Sequence, residues 1–262
     1  MDGRDDEGNF ASGEADAFSG AGIYVAAASP RRVGGCRLRA SGREIGRPDR
    51  FREARSRDTI PAAMIEAVIW DFGGVLIRTL DFTSRDALAS QLGLTREALE
   101  YEMFASQSGW EGQMGLLPSQ KHWKALGEKF GLPSEELLDR FFQGDELDQE
   151  LMDFIRGLRP KYKTGLLSNA FDTLRDLLNN EFQMLDAFDG VVISAEEGVV
   201  KPEPAIYELM LERLGVEANK AVFLDDFIEN VDGARQVGMQ AIHFQSREQA
   251  QGELGALLKH DG

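Results

Sequence analysis

The apolar run Ala67-Val68-Ile69-Trp70 stops on Asp71 and a Phe72-Gly73-Gly74 turn. Farther along, Gly165-Leu166-Leu167 stops on Ser168-Asn169, Val222-Phe223-Leu224 stops on Asp225-Asp226, and Lys201 stands just ahead of a Pro-initiated amphipathic segment. A carboxylate, a hydroxyl, an ammonium and an acidic pair gathered at one edge are a poor arrangement for stability alone. Acidic clusters brought together raise each other's pKa unless a cation sits between them. Carboxylate oxygens suit a hard cation such as Mg²⁺, which takes one or two carboxylates and fills its octahedron with water and substrate phosphate. The pattern therefore predicts metal and phosphate together. Each piece also has a plainer use: an Asp at a strand end caps turns, and a Lys before Pro is usually just solvated. An acid at a helix start favours the helix dipole, which accounts for one member of the Asp225-Asp226 pair but not for both.

These residues converge only if the elements around them form one sheet. Short apolar runs at residues 66–71, 162–168, 190–194, 220–224 and 240–244 read as strands, and the amphipathic segments 205–214 and 228–237 read as helices between them. Such alternation predicts an α/β chain with a Rossmann-like parallel sheet. Between the first and second strands lie about 90 residues with helix starts at Thr95-Arg96-Glu97 and Pro133-Ser134-Glu135-Glu136 and no strand signal. In open α/β sheets ligands bind outside the carboxyl ends of the strands. An insertion leaving just after the first strand would therefore stand over the site as a small helical cap. The expected organisation is a core of residues 64–80 and 160–262, a cap of residues 81–159, and a dissimilar segment 1–63.

That first segment has eleven Arg, no Lys, ten acids and almost no apolar periodicity; it carries +1 while the remainder carries −17. It reads as a disordered tail or a spurious extension ahead of a true start at Met64, and it lacks the block structure of a secretory or organelle signal. Cys36, the single cysteine, excludes an intramolecular disulfide and a cysteine-based metal site. A net charge of −16 argues against nucleic acid or an anionic membrane as partner. No apolar run approaches the roughly 20 residues of a membrane span. A cytoplasmic protein acting on a small molecule is expected.

The segments "WDFGGVL", "LLSNA", "VVKPEPAIY" and "LDDFIENVDGA", in this order and each at its strand end, resemble the four motifs of the haloacid dehalogenase-like (HAD) hydrolase superfamily over residues 64–260. The first and fourth look closest to a branch containing an α-D-glucose-1-phosphate phosphatase and the amino-terminal phosphatase domain of epoxide hydrolase. The resemblance implies that Asp71 is the nucleophile, forming an aspartyl-phosphate that water then hydrolyses. It implies that Ser168 and the backbone amides of Gly74 and Asn169 cradle the phosphoryl group, and that Lys201 neutralises its charge. Asp226, Asp71 and the carbonyl of Gly73 would hold Mg²⁺, with Asp225 ligating through water or shaping the site, and Asn230 steadying the metal's surroundings.

One departure stands out. Most phosphatases of the superfamily carry a second aspartate two residues after the nucleophile, as general acid; here that position is Gly73. General acid–base catalysis is worth about 10²–10⁴ in rate, so its loss would bias the protein toward substrates with good leaving groups, unless a cap residue or water supplies the proton. A 2-haloacid dehalogenase would also use Asp71 and needs no general acid, but Asp225 and Asp226 without a cation would repel an anionic substrate; EDTA separates the two. A catalytically weak phospho-ligand-binding protein is the third reading. In the cap, "SGWEGQMG" (108–115) could be a substrate loop in which Trp110 covers a sugar ring and Glu111 bonds its hydroxyls, or it could be core packing. Trp123 is expected in the cap core with His122 partly exposed, His243 is expected to be structural, and Trp70 should face away from Asp71 by strand alternation.

Overall fold

The computed structural model describes residues 64–259; the 1–63 segment and its Cys36 lie outside the described residues. In chain order the elements are β1 (Ala67–Trp70), β2 (Ile77–Thr79), α1 (Thr83–Gln91), α2 (Arg96–Glu100), α3 (Gln107–Gln113), α4 (Ser119–Phe130), α5 (Ser134–Phe142) and β3 (Asp145–Leu147). There follow α6 (Gln149–Leu158), β4 (Lys163–Ser168), α7 (Leu174–Asp176), β5 (Gly190–Ile193), α8 (Ser194–Glu197) and α9 (Pro204–Leu214). The last are β6 (Ala221–Asp225), α10 (Ile228–Gln236), β7 (Gln240–His243) and α11 (Arg247–Lys259).

The five predicted strands form one sheet in the order β5-β4-β1-β6-β7, all parallel. Parallel sheets need cover on both faces, and apolar residues supply it. Val68, Trp70, Leu166, Val222 and Leu224 join one core cluster, while Ala67, Ile69, Leu167 and Phe223 join another with Ile206, Tyr207 and Met210 of α9. With β1 central, its carboxyl end opens into the middle of one edge. Trp70 pairs in register with Leu166 and Leu224, so Asp71 leaves the sheet level with Leu167 and Asp225.

The insertion departs from the expectation in two places. Residues 77–79 and 145–147 pair antiparallel, Ile77 with Leu147 and Thr79 with Asp145, forming a two-stranded neck that enters and leaves the inserted helices. Three-residue strands, one of them Asp-Glu-Leu, carry no alternation for a sequence reading to detect. The neck is closed by Leu80 N donating to Gly144 O (2.9 Å) and by buried Arg85, which donates to Asp145 Oδ1 (2.9 Å) and to the Phe141 carbonyl (3.1 Å). Helix α6, inside the interval 81–159 expected to form the cap, packs Leu151, Met152 and Ile155 against the sheet with Val68 and Trp70. Its apolar stripe matches the sheet face and not the other inserted helices.

Helices α1 to α5 gather around their own core of Leu88, Leu99, Phe104, Trp123, Leu137 and Phe141. Into that core reaches Phe171, from the loop after β4, its ring 4.6 Å from Trp123 and 5.4 Å from His122 between centroids. Gly112 of α3 lies against the Phe171 ring, and Gly115 lies against the Ala195 carbonyl at the start of α8. These contacts hold the inserted helices at the carboxyl edge of the sheet. Among the described residues no helix is long and apolar enough to cross a membrane.

Candidate active site

Asp71 follows β1 directly, and its backbone N–H still donates to Leu224 O of β6 (2.9 Å). Its side chain is buried, with Oδ1 accepting from Phe72 N at 2.7 Å and from Lys201 Nζ at 2.8 Å. The turn beyond it folds back tightly, Leu76 N and Ile77 N both donating to Phe72 O and Gly74 N to Ile77 O. Gly74 sits at φ +73°. A β-carbon there would stand 2.1 Å from Asp226 Oδ2, so glycine is required both by conformation and by the approach of the acid.

Lys201 lies between α8 and α9, outside any regular element, and is 1% exposed. Its ammonium also donates to Asp225 Oδ2 at 2.7 Å. Asp225, the last residue of β6, is fully buried and accepts further from Asn230 Nδ2, at 3.0 Å to each oxygen, and from Phe227 N at 2.7 Å. Tyr207 of α9 donates to the Asn230 carbonyl at 2.8 Å. Behind the Lys201–Asp71 pair thus stands a saturated carboxylate whose acceptor capacity is met by protein donors.

Asp226 is different. Its Oδ1 is buried with no hydrogen-bond partner, and so is Ser168 Oγ at the end of β4. A buried polar atom without a partner costs about 1–3 kcal/mol, and these two sit at the end of β4 and just after β6, the two neighbours of β1. Asp71, Asp225 and Asp226 each present an oxygen within 4.8 Å of the others, with one ammonium, that of Lys201, among them. Burial pushes the Asp226 carboxyl up to about 7, with the Asp225 charge adding to the effect. Burial likewise raises Asp71 well above the ordinary carboxylate range; Lys201 opposes the rise, and Asp225 and Asp226 reinforce it. Burial alone would lower Lys201, but the Asp225 and Asp71 carboxylates outweigh it and hold the ammonium above its usual value. With all three carboxylates ionised against the one ammonium the cluster would carry two negative charges, the charge that one divalent cation would neutralise. The unpartnered Asp226 oxygen and the glycine cradle beside it fit such an ion.

The residues singled out in the sequence do not all come together. Asp71, Ser168, Lys201, Asp225 and Asp226 share the edge. Asn169 is there too, but its side chain pairs with the Lys201 backbone, Nδ2 donating to Lys201 O (3.0 Å) and Oδ1 accepting from Lys201 N (2.7 Å). Trp110 and Glu111 lie on α3, a helix and not a loop. Glu111 accepts from Gln107 Nε2 at 2.9 Å on an exposed face, and neither residue bonds to the carboxylate cluster. The glycines that suggested a loop serve close packing instead, Gly109 against the Phe104 backbone and Gly112 against Phe171.

His122 is fully buried, not partly exposed; its Nε2 donates to Met103 O (2.8 Å) and its Nδ1 accepts from Ser108 Oγ (2.9 Å). Trp123 is buried in the cap core as expected. Trp70 joins the opposite face, edge-on to Phe154. His243 donates from Nε2 to the Asp226 carbonyl at 2.9 Å, a backbone support beside the acid. Sequence reading passed over Ser194, whose hydroxyl accepts from Ala170 N (3.0 Å) and donates to Ala170 O (3.2 Å). A serine just past β5, opening α8, gives no signal of that contact.

The chain is 28% identical over 186 residues to the sesquiterpene phosphatase astK of Aspergillus oryzae, covering 68% of this chain and 89% of the relative. It is 27% identical over 208 residues to a D-ribitol-5-phosphate phosphatase of Bacteroides thetaiotaomicron, covering 74% and 99%. The fold matches that of a HAD family enzyme from Bacteroides thetaiotaomicron, solved in complex with magnesium and inorganic phosphate, with a TM-score of 0.59 at 23% identity over 70% of this chain and 96% of that one. A family model described as haloacid dehalogenase-like hydrolase matches residues 65–238. The order of strand ends, the Lys201 bridge and this match over most of the described residues have one common explanation: the chain belongs to the haloacid dehalogenase-like hydrolase family.

Proposed function

We propose that the protein is a Mg²⁺-dependent phosphatase of a small phosphorylated metabolite, working through an aspartyl-phosphate on Asp71. The observation that carries this reading is the pair of buried, unpartnered oxygens, Ser168 Oγ and Asp226 Oδ1, flanking a carboxylate held by Lys201. A hydroxyl donor in want of an acceptor suits a phosphoryl oxygen, and an acceptor in want of a donor suits a cation. Asp71, the Gly73 carbonyl and Asp226 would hold Mg²⁺, which when bound withdraws charge from the phosphoryl oxygens. Asp225, committed to Lys201, Asn230 and Phe227 N, shapes the site from behind.

In the first step the Asp71 carboxylate forms a bond to phosphorus as the bond to the substrate oxygen breaks. Ser168 and the backbone N–H groups of Gly74 and Asn169 bind the transferring group. Lys201 holds its positive charge beside the group throughout. The departing oxygen takes its proton from solvent water, a second water then attacks phosphorus and gives up a proton to solvent, and Asp71 leaves as carboxylate with inorganic phosphate as the second product. Gly73 offers no proton to the leaving oxygen. The favoured substrates are therefore those whose leaving group is a weak base: anomeric sugar phosphates, aryl phosphates and acyl phosphates. Trp110 and Glu111, on α3, whose Gly112 packs against Phe171 of the loop after β4, remain the candidates for contact with the organic part.

The test is phosphate release from a panel of anomeric, aryl, acyl, prenyl and simple alkyl phosphates, ribitol 5-phosphate included. Each is assayed with Mg²⁺ and with EDTA, beside Asp71→Asn. Mg²⁺-dependent release, lost in the variant and fastest for good leaving groups, is the expected result. Equal rates for alkyl and aryl phosphates would sink the leaving-group argument; release that survives EDTA would sink the metal.

A further inference from the structure

The backbone of Lys201 has no helix or strand to fix it, since it lies in the irregular link between α8 and α9. Backbone N–H and C=O groups in such a place must find other partners. Both groups of Lys201 find the same one: the Asn169 carboxamide accepts from Lys201 N at 2.7 Å and donates to Lys201 O at 3.0 Å. An amide side chain thus pairs with a peptide as a neighbouring strand would, and two points of contact fix both position and direction. The chain of support continues. Ala170, next to Asn169, is held by both of its backbone groups to the hydroxyl of Ser194, the first residue of α8 just past β5. From the sheet edge the path runs through Ser194, Ala170 and Asn169 to Lys201, and from its ammonium to Asp71 and Asp225.

We propose that the Asn169 side chain is a positioning residue for Lys201, acting on the lysine backbone and not on substrate. This rests on the phosphatase reading for its catalytic consequence, but the contact itself does not. A lysine stem has four rotatable carbons, and an ammonium that must meet two carboxylates needs its Cα fixed. Misplacement of a catalytic group by about 1 Å can cost on the order of 10² in rate. With both side-chain polar atoms engaged by Lys201, only the Asn169 backbone N–H is left for a phosphoryl oxygen.

The experiment pairs kinetics with a readout that needs no activity. Asn169→Ala is assayed on an aryl phosphate with Mg²⁺, and ¹³C-lysine-labelled protein reports the Lys201 Cε signal, assigned by its disappearance in Lys201→Arg. Expected are a loss in kcat of about 10²-fold with KM within about twofold, and a Lys201 signal moved toward those of exposed lysines. A raised KM at unchanged kcat would make Asn169 a substrate contact and overturn the proposal, as would an unmoved Lys201 signal. If Asn169→Ala does not fold, Asn169→Asp keeps the acceptor for Lys201 N, loses the donor to Lys201 O, and is read the same way. A wild-type protein silent on every phosphate, whose Lys201 signal still moves in the variant, would reject the phosphatase reading and leave the clamp standing.

Discussion

The Lys201 ammonium lies 2.8 Å from Asp71 Oδ1, and the two side chains are 1% and 6% exposed. Pairs buried to this degree are asymmetric in their response to mutation, because removing one partner strands the other in a medium that cannot solvate it. Here the stranded groups would be Asp71 and Asp225 together. Lys201→Met should cost about 3–5 kcal/mol of stability, whereas Asp71→Asn removes a carboxylate already disfavoured by burial and by Asp225 and should leave the fold at least as stable. Urea midpoints of the two variants check this. A Lys201→Met protein as stable as the parent would mean that the pair does not form in solution.

Gly74 gives a second prediction. Alanine there meets Asp226 Oδ2 at 2.1 Å and must adopt φ +73°. The strain is on the order of 1–3 kcal/mol, and relief requires Asp226 to swing away from its place. Gly74→Ala should therefore abolish Mg²⁺-induced thermal stabilisation as well as activity. Asp226→Asn should abolish the same Mg²⁺ response while raising metal-free stability at neutral pH by on the order of 4 kcal/mol, since it relieves a buried carboxylate held up to about 7. Thermal melts with and without Mg²⁺ separate the two variants. An intact Mg²⁺ shift in Asp226→Asn would move the metal elsewhere.

The same residues show where sequence reading works and where it stops. The five strands were legible because each is a short apolar run, and the polar residues at their ends, Asp71, Ser168 and Asp225, were legible because a carboxylate or hydroxyl has no business in such company unless it is used. What Lys201 leans on was not legible: the Ser168-Asn169 pair marked Asn169 for its backbone amide and not for its side chain, and Ser194 not at all, because their contacts reach 32 and 24 residues along the chain. The cap misled for a related reason. Gly109, Gly112 and Gly115 look like loop punctuation, yet two of them are the thin places of a helix pressed against other chain segments. The neck strands β2 and β3 were too short to show a period.

The Gly112 contact makes its own prediction. A β-carbon there would lie 2.3 Å from Phe171 Cε1, and the ring cannot yield freely because Phe104, His122 and Trp123 surround it. Overpacking of this kind costs about 1–3 kcal/mol. Gly112→Ala should lose that much and lower activity by loosening α3 from the loop that follows Ser168. Adding Phe171→Leu should return part of the stability, a coupling that a double-mutant cycle in urea measures. Strict additivity of the two substitutions would show that the residues do not touch.

His122 supplies one pH dependence of the cap. Its Nε2 faces a carbonyl, that of Met103, so the neutral ring carries its proton there, and its Nδ1 accepts from Ser108. Burial lowers its pKa below the usual 6.5, with the Met103 carbonyl and the Glu102 charge opposing without prevailing. The sign follows from linkage. The unfolded chain takes up a proton near pH 6.5 and the folded chain only at lower pH, so between the two values unfolding binds protons. The contribution is fully present above pH 6.5 and is lost as pH falls toward and through the folded value. His122→Gln, which keeps a donor for Met103 O and cannot titrate, should be less stable than the parent at pH 7.5. Its stability should fall less steeply toward pH 5, because the carboxylates titrate alike in both proteins. Urea midpoints at half-unit steps between pH 5 and 7.5 measure the difference in slope; parallel curves would show that His122 titrates as it does in water, and the closed packing around Phe171 would have to be given up with it.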